Sequence, residues 1–425
     1  MTEDKAAPAY GSILVVGGGI SGLTTALEAA EVGCEVFLVE KNPYLGGRVA
    51  QLNQYFPKLC PPSCGLEINF RRIKDNPNIT VFTQGEVEKI DGAPGGYDVA
   101  INLSPRYVNE NCTCCGDCGE ACETEITSDF NFGMNQIKGA YFPFEMAFPA
   151  RYVISPQIIG TDDALRCKDA CKYDAVDLDM ERTTVNLQVG AIVWATGWEP
   201  YDAAKIDNLG FGQYPNVITN MMMERLASAN GPTKGKILRP SDNKEPESIG
   251  FVQCAGSRDE NYLPYCSYIC CMASLKQATY IREQYPEAKV YIFYIDVRAP
   301  GQRYEKFYQN IKEDENVFLV KGKVAEVSED SATGNITVVA ENAVTGEKIK
   351  ETVEMAVLAT GMQPTAATAK LPADLKYNED GFIINDFEKG GMFAAGCANK
   401  PSDVVSSNQN DTGMALKAIQ TLVRK

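Results

Sequence analysis

Residues 13–40, ILVVGGGISGLTTALEAAEVGCEVFLVE, constrain the fold more than any other stretch. They predict a strand at Ile13–Val16, a glycine turn, a helix, and a second strand at Val36–Val39 that ends on Glu40. Gly17, Gly19 and Gly22 stand at the G-x-G-x-x-G spacing. In that pattern the first glycine makes the tight turn, the second lets the backbone approach a pyrophosphate, and the third lets helix and strand pack closely. Free N–H groups and the positive end of the helix then face the phosphates. Glu40 falls where an acid accepts from an adenosine ribose hydroxyl. The early position of the turn and the following Gly46-Gly47-Arg48 favour FAD over NAD.

Further along, VNLQVGAIVWATG (185–197) and MAVLATG (355–361) each predict a strand running into Ala-Thr-Gly. The last stretch, from Gly390, predicts a strand, a glycine and a long helix. This arrangement resembles the two-dinucleotide-binding-domain flavoproteins of the thioredoxin reductase type, an α/β Rossmann-like fold. The resemblance implies that Thr196, Gly197, Thr360, Gly361 and Gly396 close around the flavin. The set expected at the cofactor is then Gly17, Gly19, Ile20, Ser21, Gly22, Glu40, Lys41, Gly47, Arg48, Val87, Thr196, Gly197, Gly361, Gly396 and Cys397. Cys397 stands where that family usually has Asp. A second α/β unit is expected from Ser248, with a strand at Ile249–Gln253, a helix at Met272–Gln284 and a strand at Val290–Ile295. Its strand runs into Cys254-Ala255-Gly256-Ser257-Arg258 and carries no second glycine fingerprint, so no NAD(P)H site is expected there.

The chain has 15 cysteines and no histidine among 425 residues. Without imidazole there is no histidine haem ligand, Rieske centre or histidine base in this chain, which leaves flavin and thiolate chemistry. Cys112, Cys115, Cys118 and Cys122 follow the C-x2-C-x2-C-x3-C spacing of bacterial ferredoxins. Cys167 and Cys171 read as the tail of a second such motif, whose first two positions hold Thr161 and Ala164. By ferredoxin logic Cys112, Cys115, Cys118 and Cys171 ligate one 4Fe–4S cluster, and Cys122 and Cys167 survive from a lost second one. A zinc site or reduced structural thiols are the alternatives. Cys254, Cys266, Cys270 and Cys271 form another group, either a cluster or metal site or small core side chains. Cys60 and Cys64 are a flavin-proximal redox or ligand pair, or buried inert thiols. Cys34 is expected in the core.

A formal net charge of −16 argues against nucleic-acid binding and against direct docking on anionic lipid. No segment approaches ~18 consecutive apolar residues, so no membrane span is expected. Residues 1–10 have neither a basic nor an apolar signal-peptide region and are expected to be a loose tail.

The fingerprint, the ferredoxin-like insertion, FVQCAGSRD with YCSYICCMASLKQA, AAGCANKPSDV and FPKLCPPSC together resemble the flavin-containing, A-type component of heterodisulfide reductases over nearly the whole chain. That family commonly carries a further N-terminal domain and C-terminal ferredoxin modules. Here the fingerprint comes at once and the sequence ends on the flavin-domain helix, so a compact form is expected. This form is most similar to the branch serving quinone-interacting membrane-bound oxidoreductase complexes of sulfate reducers. The resemblance implies an oxidoreductase subunit that moves electrons through FAD and iron–sulfur between the menaquinone pool and adenylylsulfate reductase. Its implied partners are a second heterodisulfide reductase A-like flavoprotein and a haem-b membrane subunit, which would hold it on the inner face of the cytoplasmic membrane. The alternatives are a heterodisulfide reductase-type flavin subunit with another electron partner, an NAD(P)H-dependent FAD/iron–sulfur reductase, and a scaffold without redox function. Five segments are expected: 1–110 and 181–247 as the first two parts of the FAD-binding domain, 111–180 as the ferredoxin-like insertion, 248–350 as a degenerate NAD-binding-like domain, and 351–425 as the last FAD-binding part.

Overall fold

The structure, a computed structural model, describes residues 11–56, 58–342 and 344–423, so the tail expected at 1–10 lies outside the described residues. The chain starts with β1 (Ser12–Val16), α1 (Ile20–Glu31), β2 (Glu35–Glu40), α2 (Ser63–Asp75) and β3 (Ile79–Thr83). The insertion contributes two short helices, α3 (Asp117–Ala121) and α4 (Asp162–Asp169), and is followed by β4 (Ala191–Trp194). Then come β5 (Val217–Thr219), α5 (Asn220–Ala227), β6 (Ser248–Ala255), α6 (Cys270–Gln284), β7 (Lys289–Tyr294) and β8 (Val317–Lys321). The chain closes with β9 (Met355–Thr360), β10 (Met392–Ala394) and α7 (Val404–Val423).

Two five-stranded parallel sheets result, in the orders β10-β4-β1-β2-β3 and β5-β9-β6-β7-β8. Ile13, Val15, Val36, Leu38, Ala191 and Val193 share a core with Leu23, Ala26, Leu27 and Ala30 of α1 and with Met414 and Ala418 of α7. The small side chains let α1 and α7 lie close together on the sheet. The fold class is the α/β two-unit arrangement that the sequence predicts. The strands match in kind; three have bounds a residue or two wider, and β7 is shifted by one residue.

The sheets divide the chain differently from the expected boundaries at 247 and 351. β5 lies before 248 and β9 after 350, yet both hydrogen-bond into the second sheet. Their residues are buried throughout. Buried backbone N–H and C=O groups need partners; the free edge of β6 supplies those of β9, and β9 supplies those of β5. The strands that follow the two Ala-Thr-Gly turns, Trp198–Pro200 and Met362–Pro364, pair antiparallel and join the units.

A buried polar cluster on α5 and α6 locks the units together. Glu224 accepts from Lys276 Nζ at 3.0 Å, Gln277 Nε2 at 2.7 Å, Tyr280 Oη at 3.2 Å and Asn53 N of the first unit at 2.9 Å. Lys276 also donates to Gln54 O. The neighbouring Arg225 is fully buried, donates to Asn131 of the insertion at 2.8 Å, and stacks over Phe130. A buried charge persists where its donors or acceptors are satisfied in this way.

Candidate functional site

A cavity of about 1050 Å³ opens at the carboxyl end of β1, where ligands bind in open α/β sheets. The glycine turn is built for it. Gly17 has φ +110°, and a Cβ there would collide with Ala195 O. A Cβ on Gly22 would collide with Gly17 O, so the third glycine seats α1 against the turn. A Cβ on Gly19 would meet nothing closer than Gly47 Cα at 3.8 Å, so its backbone lies open to the cavity. Gly46 and Gly47 lie back on this turn through a Gly19–Gly46 bridge and a Gly46 N to Gly18 O hydrogen bond.

Of the predicted residues, Gly17, Gly19, Ile20, Ser21, Glu40, Lys41, Gly47, Arg48, Val87, Thr196, Gly197 and Cys397 border the cavity. Gly22 and Gly396 stand behind the wall and keep it tightly packed. Gly361 does not reach it. It lies on the second-unit turn beside Ser257 and Ser267, because β9 belongs to the second sheet, and touches the site only through its carbonyl, which accepts from Tyr201 N.

Glu40 is buried. Its carboxylate accepts from Gly18 N at 2.6 Å and from Asn42 N and Nδ2 at 2.8 and 2.7 Å. Burial pushes its pKa up, and those donors oppose the shift. A carboxylate offers about four acceptor positions, so one remains for a ribose hydroxyl. Arg48 is held by Trp198 O and Gln51 Oε1 and stacks over Phe132. Thr196 Oγ1 and Trp194 Nε1, both of wall residues, are buried without a protein partner. Buried polar atoms of this kind fit a wall that waits for a polar ligand. Cavity, glycine turn, ribose acid and orphaned atoms together fit FAD.

Cys397 is buried, and burial pushes its thiol up to about 12, so it enters the wall as a neutral S–H that donates to Ser402 O. Asp129 and Phe132 of the insertion also border the cavity, which no sequence motif signalled.

In the insertion, burial pushes the Cys118 thiol up to about 12, and the Cys112, Cys171 and Cys115 sulfurs add to the shift. The other three predicted ligands therefore lie within electrostatic range of Cys118. Cys114 joins them, pushed up to about 11 by burial and by Cys112. In a single tetrahedral zinc site, sulfurs lie roughly 3.8 Å apart. The described residues that draw within 4.8 Å of one another are a different trio, Cys122, Asp163 and Cys167. Cys112, Cys115, Cys118 and Cys171 are not drawn together as tightly as a single-ion site requires.

Asp163 accepts from Thr124 N at 2.7 Å, Glu123 N at 3.0 Å, Cys122 Sγ at 3.3 Å and Arg166 at 2.7 Å. Burial works against its charge, but these donors outweigh it and hold the carboxyl well below the usual carboxylate range.

Arg106 is another residue that no sequence motif signalled. It is buried beside Cys112 and Cys114, and burial lowers its pKa to about 10. Its guanidinium donates to Pro43 O, Tyr152 O and Arg151 O, tying the cysteine loop to the segment that follows Glu40.

Cys254, the last residue but one of β6, has φ +56°. Burial, then Cys271 and Cys266, push its thiol up to about 11. Cys270 is raised by burial and then by Cys254, Cys271 and Cys266. Helix α6 begins at Cys270 and not at Met272, which puts two of the four thiols in its first turn. The structure brings this group together, and it could hold a metal cluster. A smaller apolar cavity, about 130 Å³, runs from Arg48 and Trp198 to Ile269 and Met272 beside it. Cys60 is half-buried and Cys64 exposed; neither borders either cavity. Cys34 is in the core.

Residues 15–82 match the family model for an NAD(P)-binding Rossmann-like domain. The chain is 39% identical over 421 residues to the second A-type iron-sulfur component of the CoB–CoM heterodisulfide reductase of Methanopyrus kandleri, covering 96% of this chain and 64% of that protein. It is 34% identical over 423 residues to the A-type component of the H2:CoB-CoM heterodisulfide, ferredoxin reductase of Methanothermobacter thermautotrophicus, covering 97% and 64%. The chain thus spans less than two thirds of the length of these curated relatives. Among solved structures, the thioredoxin reductase of Lactococcus lactis matches over 97% of this chain and 99% of its own, at 14% identity and a TM-score of 0.54. That of T. acidophilum matches over 96% of both, at 14% identity and a TM-score of 0.53. These two likenesses bear on the fold alone.

Proposed function

Because the chain belongs to the heterodisulfide reductase A-like family, we propose that it is an electron-transfer oxidoreductase subunit carrying FAD and a 4Fe–4S cluster. One observation carries this reading. The glycine turn, Arg48 and the insertion residues Asp129 and Phe132 border one cavity, while Arg106 ties the adjoining cysteine loop to Pro43. FAD, when bound, exchanges electrons in pairs or singly, so it couples a two-electron partner to a one-electron cluster. The chain's own residues bind and orient it. Gly19 and Ser21 face its pyrophosphate, Glu40 its ribose, and Thr196, Gly197 and Cys397 line the remaining wall. Cys112, Cys115, Cys118 and Cys171 ligate the cluster. The Cys254, Cys266, Cys270 and Cys271 group is either a further cluster or metal site or a set of small core side chains.

In this reading the chain passes electrons between the menaquinone pool and adenylylsulfate reductase in sulfate respiration. It docks with a second heterodisulfide reductase A-like flavoprotein and a haem-b membrane subunit on the inner face of the cytoplasmic membrane. Among the described residues no helix is long and apolar enough to cross a membrane, so quinone access is assigned to that partner. Electrons enter and leave through proteins, because the turn after β6 carries cysteines where a nucleotide fingerprint would stand.

The test is the flavin and iron content of the protein as isolated, followed by stopped-flow mixing with NADH and NADPH. Stoichiometric FAD and iron, with no flavin bleaching by either nucleotide, is the expected result. Rapid bleaching by NADH alone would shift the assignment to a pyridine-nucleotide reductase.

A further inference from the structure

Helix α7 carries an anomaly on its buried stripe. Ser407, Asp411, Met414, Ala415 and Ala418 face inward at helical spacing, which puts a carboxyl in line with core methyl groups. Asp411 is 0% exposed, and neither of its oxygens has a hydrogen-bond partner of good geometry. An uncompensated buried carboxylate is costly and takes up a proton instead. Burial favours the neutral acid, and the two polar groups beside it oppose that shift. From α1 it faces the Ser21 hydroxyl, and from the Gly396–Ala398 turn it lies beside the Gly396 N–H, which donates to Asn410 Oδ1 at 3.0 Å. The Cys397 thiol lies in range of Asp411 and of Asp403, which precedes α7. No lysine or arginine among the described residues faces it.

Ser21 stands in the first turn of α1 and borders the cavity, whereas Asp411 does not. Asp411 therefore reaches a ligand only through Ser21 and the Gly396 backbone. A Cβ placed on Gly396 would run into the Ser21 hydroxyl and come within 3.3 Å of Asp411 Oδ1, so the three groups share one small space.

We infer that Asp411 is a positioning residue for the cofactor: as the neutral acid it donates to Ser21 Oγ and frees the Ser21 O–H to donate toward the phosphate end of the cavity. The proton stays on Asp411 while the dinucleotide is bound. A deprotonated Asp411 would accept from Ser21, turn that hydroxyl away from the phosphate, and place a negative charge behind an anion. Retention of the cofactor is thus linked to one proton. Burial pushes the carboxyl up to about 7, which sets that linkage near neutral pH.

The inference rests on the cavity holding FAD. The experiment dilutes the purified full-length protein at a series of pH values and follows flavin release by the recovery of free-flavin fluorescence. In the wild type, the dissociation constant is expected to rise as much as tenfold per pH unit above about 7. Asp411→Asn keeps a neutral donor, so it should hold flavin with no such rise. Ser21→Ala should weaken retention at low pH and flatten the profile. A protonated-carboxyl band in the infrared spectrum of the wild type at pH 6, lost in Asp411→Asn, gives a readout that does not depend on how well a variant folds. A wild-type profile that is flat across pH, a rise that persists in Asp411→Asn, or the absence of that band would overturn the role of Asp411. Protein purified without any flavin would instead overturn the assignment of the cavity.

Discussion

The two α/β units share a sheet plan and differ at one turn. In each, a central strand, β1 or β6, feeds a helix and then a neighbouring parallel strand. After β1 the turn is Gly17–Gly19, and α1 starts at once, so its free N–H groups face open space. After β6 the chain runs on to residue 269 before α6 begins. That longer segment fills its own space, with Ser257 bonded to Ser267 at 2.7 Å and Leu263 buried. Thiols stand where the glycines would be. The comparison teaches that the sheet builds a crevice at the strand ends in both halves, while the length and composition of one turn decide what chemistry enters it.

The largest expected effect is at the first turn. Gly19→Val puts a side chain into the open approach and removes charge-assisted backbone hydrogen bonds of roughly 1.5–3 kcal/mol each. Flavin affinity should fall more than about 100-fold, and the protein should purify colourless. Stoichiometric yellow protein from this variant would break the contrast between the turns.

Next come the thiols. Cys112→Ser should lose about four irons per chain while FAD stays bound, since the insertion carries its own small core. Cys270→Ser sharpens the comparison. If it lowers iron by a similar amount, the second unit has exchanged a nucleotide for a cluster; unchanged iron would make its thiols core side chains.

The clamp between the units should follow. Lys276→Met leaves Glu224 buried without its cation and should cost about 3–5 kcal/mol in denaturant unfolding. By contrast, Lys41→Ala breaks an exposed pair with Glu199 and should cost less than about 1 kcal/mol. Equal effects would show that the clamp does not join the units.

A slope with pH in a full-stability measurement closes the series. The folded chain keeps the Asp411 proton up to about 7, whereas the unfolded chain releases it near 3.8. Stability of the flavin-free wild type, taken relative to Asp411→Asn, should therefore fall as pH rises across that window and level off above it. A flat difference would place the proton elsewhere.

The sequence by itself determined the first unit from strand to acid. Gly17, Gly19, Gly22 and Glu40 act within one local βαβ segment, where spacing alone dictates geometry. It also determined the ferredoxin spacing, because three of those cysteines share one loop. Only the tertiary structure decided what distant segments bring together. Gly361 follows an Ala-Thr-Gly strand like that ending at Gly197, yet β9 pairs with β6 and carries it away from the cavity. Asp163 meets the Cys122 loop across a gap of forty-one positions, and Asp411 meets Ser21 from the far end of the chain. Local periodicity marks Asp411 as buried, but its partner is set by the packing of α7 on α1, which no short-range pattern encodes.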